Sequence, residues 1–392
     1  MKKLNPLYLI YILSFIVSHG VPGIIPLLPT LRDHFQLNAA EISSAMAYFS
    51  YAALLATPIS GYLYKKISKT WFITILVAFY FAGAIGTISV TTYENFLFFR
   101  IIQGIGSGGI NILMTILPSE YFKGADRAKI MGKAFAFCAL GLTILPPLSG
   151  FLGHYSWKLS LFILQIPSLI TLLILAFTDL TPRFELPQHA VNYRELKLIL
   201  LSPEALALFT TIFFIGGIDM AMPSLFSLYS NQTFNFSTST IGIIYSVGSI
   251  GMTIGSTYIL GKMLKSTNFP YLYIGYGILN TFIYIFYTDF SGFSFIILFF
   301  FYFMLSGLTI PFINYSISTI MPSSVIIIGL TLSMTLFRAG QGFLTAFFAD
   351  IKVNYGFQIA FWSMGFLYAL TIFIVFIYLK ILRHRFECRS CD

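Results

Sequence analysis

Twelve runs of mostly apolar residues, each long enough to cross a bilayer as a helix, dominate this chain. They lie at about 7–29, 42–63, 71–91, 96–118, 130–152, 158–178, 206–229, 239–261, 270–288, 292–319, 324–349 and 357–379. Clusters of Lys/Arg, Pro/Gly or Asn/Asp/Ser separate them. Roughly 20 apolar residues span the hydrocarbon, and a helix pairs every backbone N–H and C=O within the segment, as lipid requires. The pattern predicts an all-α membrane protein with 12 transmembrane helices. Only 9% of the 392 residues are charged, against roughly 25% in soluble domains. That leaves too little polar surface for a soluble enzyme, a nucleic-acid binder or a disordered chain. The first run follows Met1-Lys2-Lys3 but is too long for a signal peptide and lacks a small-residue cleavage site. It reads as an uncleaved first span.

The charges test the span count. With twelve spans both termini share one side, and 18 Lys/Arg fall on it, Lys65, Lys66, Lys69, Lys262 and Lys265 among them. The opposite side carries Arg32, Lys158 and Lys352. Basic loops stay in the cytoplasm, so the termini and even-numbered loops are expected there, in a bacterial cytoplasmic membrane. A miscounted span would scramble this division. The bias also accounts for most of the net charge of +9 without nucleic acid as a partner.

The polar stretch from Asp179 to Glu204 divides the spans six and six. The expected organisation is an N-terminal half at 1–178, a central cytoplasmic loop at 179–205, a C-terminal half at 206–380 and a tail at 381–392. Landmarks recur between the halves. Gly61 and Lys65 end span 2 as Gly261 and Lys265 end span 8, and Gly104 and Asn111 in span 4 recur as Gly307 and Asn314 in span 10. Two like-oriented six-helix halves are the parallel repeat of a large class of secondary transporters.

Span 4 begins Arg100-Ile-Ile-Gln103-Gly104-Ile-Gly106-Ser-Gly108. This resembles the R-x-x-Q-G-x-G motif of the major facilitator superfamily, particularly its proton-coupled drug antiporters. Span 5 carries Gly141-x-x-x-Leu145-Pro146-x-x-Ser149-Gly150, similar to the family's antiporter motif with Leu145 and Ser149 in place of two glycines. Trp157-Lys158-x-x-x-Phe162-x-x-x-x-Pro167 resembles its W-R-x-x-F-x-x-x-x-P run. After span 2 the family carries an acidic residue that helps latch the halves together, and here Lys65 replaces it. The resemblance implies alternating access about a central cavity lined by spans 1, 4, 7 and 10. Independently of family, Gly104, Gly106 and Gly108 permit close helix approach. Gly141, Pro146 and Gly150 shape a bent helix suited to a gate, or to packing alone.

Ionisable groups inside spans are functional hypotheses by default. Asp219 lies near the middle of span 7, Arg338 near the middle of span 11, Arg100 about one turn inside the outer end of span 4 and His19 midway along span 1. A carboxyl out of water holds a proton more readily, and a nearby guanidinium opposes this. Asp219 beside Arg338 is therefore the expected proton carrier, with a static ion pair as the alternative. Arg100 keeps its charge, and His19 titrates near neutrality. Gln103, Asn111, Asn314 and Gln341 are candidate hydrogen-bonding groups for cargo, with Phe226 and Tyr315 among the stacking surfaces. No P-loop, metal cluster or catalytic set occurs, so no cofactor and no enzyme activity is expected. Cys388-x-x-Cys391 lacks the second pair a zinc site needs. The expectation is a monomeric, proton-coupled exporter of a small amphipathic molecule, a drug or a secreted metabolite such as a siderophore. A proton-coupled nutrient importer is the alternative.

Overall fold

The computed structural model describes residues 2–3, 6–17, 20–64, 66–122, 124–180, 200–263, 269–288, 292–321 and 326–389. His19, Lys65, most of the central loop and Cys391 lie outside them. The described residues are almost entirely helical, with one two-residue parallel pairing of Lys2–Lys3 with Thr178–Asp179. Eight helices are long and apolar enough to cross a membrane, among them Ala39–Leu63, Lys69–Ser89 and Pro203–Phe234. The last of the eight runs from Ile328 to Tyr378 and holds both span 11 and span 12.

Other predicted spans are helices in pieces, and each break has a local cause. Span 1 is Pro6–Val17, then a 3-10 turn at Ile25–Leu27, then Leu28–Phe35. Pro22, Pro26 and Pro29 cannot donate to a helix ladder. Span 6 divides at Gln165 into Trp157–Leu164 and Ile166–Phe177, where Pro167 occupies the new first turn. Span 8 loosens into a π-turn at Ile254–Ile259. Span 10 divides into Gly292–Ser306 and Thr309–Ile320, because Pro311 leaves the Gly307 carbonyl without its helical donor. The expected loop between spans 11 and 12 is nearly absent: helix runs to Gly356, whose φ of 86° glycine adopts at no steric cost. Asn38 starts span 2 with a reciprocal capping box, accepting from Ala40 and Glu41 while Glu41 accepts from Asn38. That device satisfies the orphan donors of the first turn.

The chain forms two compact units. One comprises Met1–Gln188 with Pro223–Ser246, the other His189–Met222 with Val247–Asp392. In the first, span 4 lies between spans 2 and 3. A methyl group added to Gly104 would lie 2.4 Å from the Phe49 carbonyl oxygen, and one on Gly106 would lie 2.4 Å from the Tyr80 nitrogen. Gly108 meets the Ala53 carbonyl in the same way. In the second unit, Gly307 of span 10 meets the Met252 carbonyl oxygen of span 8 at 2.5 Å. Gly104 with Phe49 and Gly307 with Met252 are the same contact, each member 203 positions further along. The repeat therefore extends from sequence landmarks to paired backbone contacts.

Candidate functional site

Spans 7 and 11 meet backbone to backbone in the second unit. A methyl on Gly340 would lie 1.8 Å from the Phe213 carbonyl oxygen, and one on Gly216 would lie 2.2 Å from the Phe337 carbonyl oxygen. Gly217 fits against the side chain of Leu344. Side chains larger than hydrogen at these points would force the helices apart. Asp219 lies one turn beyond Gly216, and Arg338 follows Phe337. The contact thus sets the two charges on facing helices, with the guanidinium in electrostatic reach of the carboxylate. Both are partly exposed, and Arg338 Nη1 donates to Gln341 Oε1 at 2.9 Å. Pro223 has no N–H, so the backbone carbonyl of Asp219 loses its helical partner. Pro223 is also where the packing of span 7 passes from one unit to the other. Sequence reasoning named Asp219, Arg338 and Gln341. It did not assign Gly216, Gly217 and Gly340 the task of setting their helices together, although Gly-Gly just before an acid in mid-span was the available signal.

Arg100 and Gln103 are brought together in the first unit. Arg100 is 2% exposed, and its Nη1 donates to Gln103 Oε1 at 2.6 Å. Its Nε donates to the Ala45 carbonyl at 3.2 Å, and its guanidinium lies 4.4 Å from the centre of the Phe49 ring. Among the described residues no carboxylate forms an ion pair with it. Asn111 and Asn314 are partly exposed, and Asn314 accepts from Ser333 Oγ at 3.3 Å. Tyr315 is exposed, whereas Phe226 is fully buried. Gly61 packs against Ile112.

The span 5 motif packs tightly inside the first unit. Gly141 and Pro146 are buried. A methyl on Gly150 would lie 2.2 Å from the Thr238 carbonyl oxygen, and one on Gly242 would lie 2.3 Å from that of Pro146. Ser149 donates to the Gly23 carbonyl, Thr238 Oγ1 to the Gly150 carbonyl at 2.8 Å, and Ser227 to the Ile25 carbonyl at 2.7 Å. Pro147 deprives the Thr143 carbonyl of its helical donor, and the Ser246 hydroxyl donates to that carbonyl instead. Ser149, which stands where the resembled motif has glycine, is thus a hydrogen-bonding member of this cluster.

A further charged group went unrecognised in sequence. Glu120, at the end of span 4, is 3% exposed. It accepts from Tyr64 Oη at 2.6 Å and pairs with Lys69 Nζ at 2.7 Å. Burial, then the hydrogen bond to the carboxylate, pushes the Tyr64 phenol well above its ordinary range. The signal was an acid immediately after an apolar run, close to the lysines after span 2.

The family model described as Major Facilitator Superfamily matches residues 7–345. Multidrug resistance protein 2 of Bacillus subtilis (strain 168) is 23% identical over 276 residues, covering 67% of this chain and 69% of that protein. Quinolone resistance protein NorA of Staphylococcus aureus (strain MSSA476) is 23% identical, covering 66% of this chain and 67% of that protein. Among solved structures, a bacterial homolog of the human lysosomal transporter Spinster, inward-facing and occupied, superposes with a TM-score of 0.78 at 14% identity, covering 96% of each chain. A D-xylose–proton symporter superposes with a TM-score of 0.75 at 15% identity, covering 94% of this chain and 96% of that one. The structural likenesses bear on fold, that of twelve helices in two halves.

Proposed function

The chain belongs to the major facilitator superfamily, and from that premise we propose that it exports a small amphipathic molecule in exchange for protons. It is a multi-pass membrane transporter and not an enzyme. The observation that supports the coupling is the partly exposed Asp219, placed on a helix facing that of Arg338 and within its electrostatic reach by the Gly216–Phe337 and Gly340–Phe213 contacts. With Asp219 ionised, Arg338 is neutralised and cargo binds from the cytoplasm. On the outer side Asp219 takes up a proton, the attraction to Arg338 weakens, and the site returns. The freed Asp219 carbonyl at Pro223 gives span 7 a compliant point beside that charge. The names of the multidrug and quinolone relatives favour drug-like cargo over a nutrient. The setting is a bacterial cytoplasmic membrane with both termini inside, and the working unit is the monomer.

The test is proton movement in proteoliposomes with an imposed acid-inside gradient, across a panel of drugs and metallophores. Cargo-dependent proton efflux that disappears in Asp219→Asn supports antiport through Asp219. Unchanged coupling in Asp219→Asn removes that residue from the proton path. Cargo and protons moving in the same direction would point to the importing alternative.

A further inference from the structure

A stripe of exposed side chains recurs on the outside of spans 2 and 8, away from the Asp219 pair. On span 2, Leu55, Ile59 and Tyr62 are exposed on one face of Ala39–Leu63, and the exposed Lys66 follows in the turn after it. On span 8, Ile250, Ile254, Tyr258 and Lys262 are exposed at intervals of one turn. In both stripes the lysine folds back on the tyrosine. Lys66 Nζ donates to the Tyr62 hydroxyl and lies 4.3 Å from the ring centre. Lys262 Nζ donates to the Tyr258 hydroxyl at 2.5 Å and lies 4.2 Å from the ring centre. The stripes fit one leaflet in length. At 1.5 Å per residue Leu55 to Lys66 rises about 16 Å and Ile250 to Lys262 about 18 Å, against about 15 Å for half the hydrocarbon core.

Each stripe is therefore apolar where acyl chains lie and ends in a phenol and an ammonium at headgroup depth, where lysine snorkels and tyrosine rings settle. An ammonium has three N–H donors and a phenol one O–H. The tyrosine oxygen accepts one of the lysine's hydrogens, so two N–H groups and the phenol O–H of each pair have no acceptor among the described residues. No carboxylate among those residues forms an ion pair with Lys66 or Lys262. We propose that the two stripes are sites for an anionic phospholipid of the phosphatidylglycerol type, whose phosphate accepts from Lys66 and Tyr62 in one half and from Lys262 and Tyr258 in the other. A zwitterionic lipid brings its own cation, which competes with lysine for the phosphate. A soluble phosphate leaves the apolar part of each stripe unused. The sites depend neither on the direction of transport nor on Asp219.

The experiment is thermal unfolding of the purified full-length protein in a neutral detergent, titrated with phosphatidylglycerol, with phosphatidylcholine of the same acyl chains, or with glycerol phosphate. Phosphatidylglycerol should stabilise saturably, with a midpoint about fivefold below that of phosphatidylcholine, the gain of one lysine at an anionic headgroup. Lys66→Gln combined with Lys262→Gln should bring the two lipids to the same midpoint. Tyr62→Phe combined with Tyr258→Phe keeps both ammonium groups and should raise the phosphatidylglycerol midpoint about two- to tenfold, one hydrogen bond's worth. Lys158→Gln, on the side with few basic residues, should change nothing. Equal midpoints for the two lipids in the parent, a preference that survives the paired lysine changes, or a midpoint unmoved by the paired tyrosine changes overturns the proposal. Stabilisation by glycerol phosphate at the midpoint of the lipid overturns it too, in favour of a soluble anion.

Discussion

Gly340→Ala asks how much of the site depends on one close approach. The new methyl would lie 1.8 Å from the Phe213 carbonyl oxygen, 2.8 Å from the carbonyl carbon and 3.0 Å from the Gly217 nitrogen. All three atoms are backbone, so no rotamer change makes room. Reaching a tolerable separation of about 3.2 Å requires spans 7 and 11 to part by about 1.4 Å, and overpacking of this kind costs about 1–3 kcal/mol. Alanine's better helix propensity returns roughly 0.5–1 kcal/mol. The net expectation is a loss of up to about 2.5 kcal/mol. The functional loss should be larger, because a displacement of about 1 Å between cooperating groups costs on the order of a hundredfold in rate. Gly275→Ala is the control. It is a helical glycine in Phe269–Phe286 with nothing within 4 Å of the added methyl, so the same change should be neutral or stabilising. Unfolding temperature in detergent and cargo-dependent proton movement in proteoliposomes read the two effects. Equal behaviour of the two variants would refute the argument that the Gly340–Phe213 contact sets the charged pair.

Tyr64→Phe tests the Glu120 node through pH. The folded-state phenol lies above the ordinary value of about 10, so the unfolded chain releases this proton first. The contribution is complete below about pH 10 and is lost as pH rises towards the folded value. Unfolding temperature should therefore fall more steeply between about pH 9 and about pH 11 in the parent than in Tyr64→Phe, and parallel slopes would count against the buried donor. Lys69→Met leaves the Glu120 carboxylate buried with Tyr64 as its remaining described partner. Because Lys69 is partly solvated, a loss of about 1–3 kcal/mol in thermal stability is expected. Ser246→Ala removes the hydroxyl that donates to the Thr143 carbonyl and should cost about 0.5–1.5 kcal/mol. In a Pro147→Ala background the restored N–H satisfies that carbonyl, so the cost of Ser246→Ala should shrink, and strict additivity in the double-mutant cycle would contradict the pairing.

The span pattern was legible because lipid leaves a chain few options. Period and length identify the helices, and the lysines and arginines between them support the count. Breaks within spans were half legible: Pro167 and Pro311 mark theirs, but the break between spans 11 and 12 narrows to the single non-helical residue Gly356, where the polar residues around it suggested a longer loop. Charges inside spans stood out individually, as Asp219, Arg338 and Arg100 did. Partners did not, because which helix faces which is decided by packing across long sequence separation. Glu120 was missed for that reason, its two partners lying 51 and 56 positions away.

The two repeats keep the same packing and differ in charge, and that difference is physically economical. Gly104 against Phe49 and Gly307 against Met252 must both be kept, since each half has to bring its own helices together. A proton-binding carboxylate is under no such requirement. In the exchange proposed above, one titrating acid changes the charge of its site by one unit per cycle, and a second in the other half would add a second desolvation cost without being needed for a single exchange. The second unit accordingly holds Asp219 with Arg338, while the first holds Arg100 with its charge fixed under working conditions. Placing a second carboxylate near Arg100, as in Gln103→Glu, should therefore pair that arginine, change the proton-to-cargo ratio or halt exchange, and leave the helix packing of the first unit unchanged.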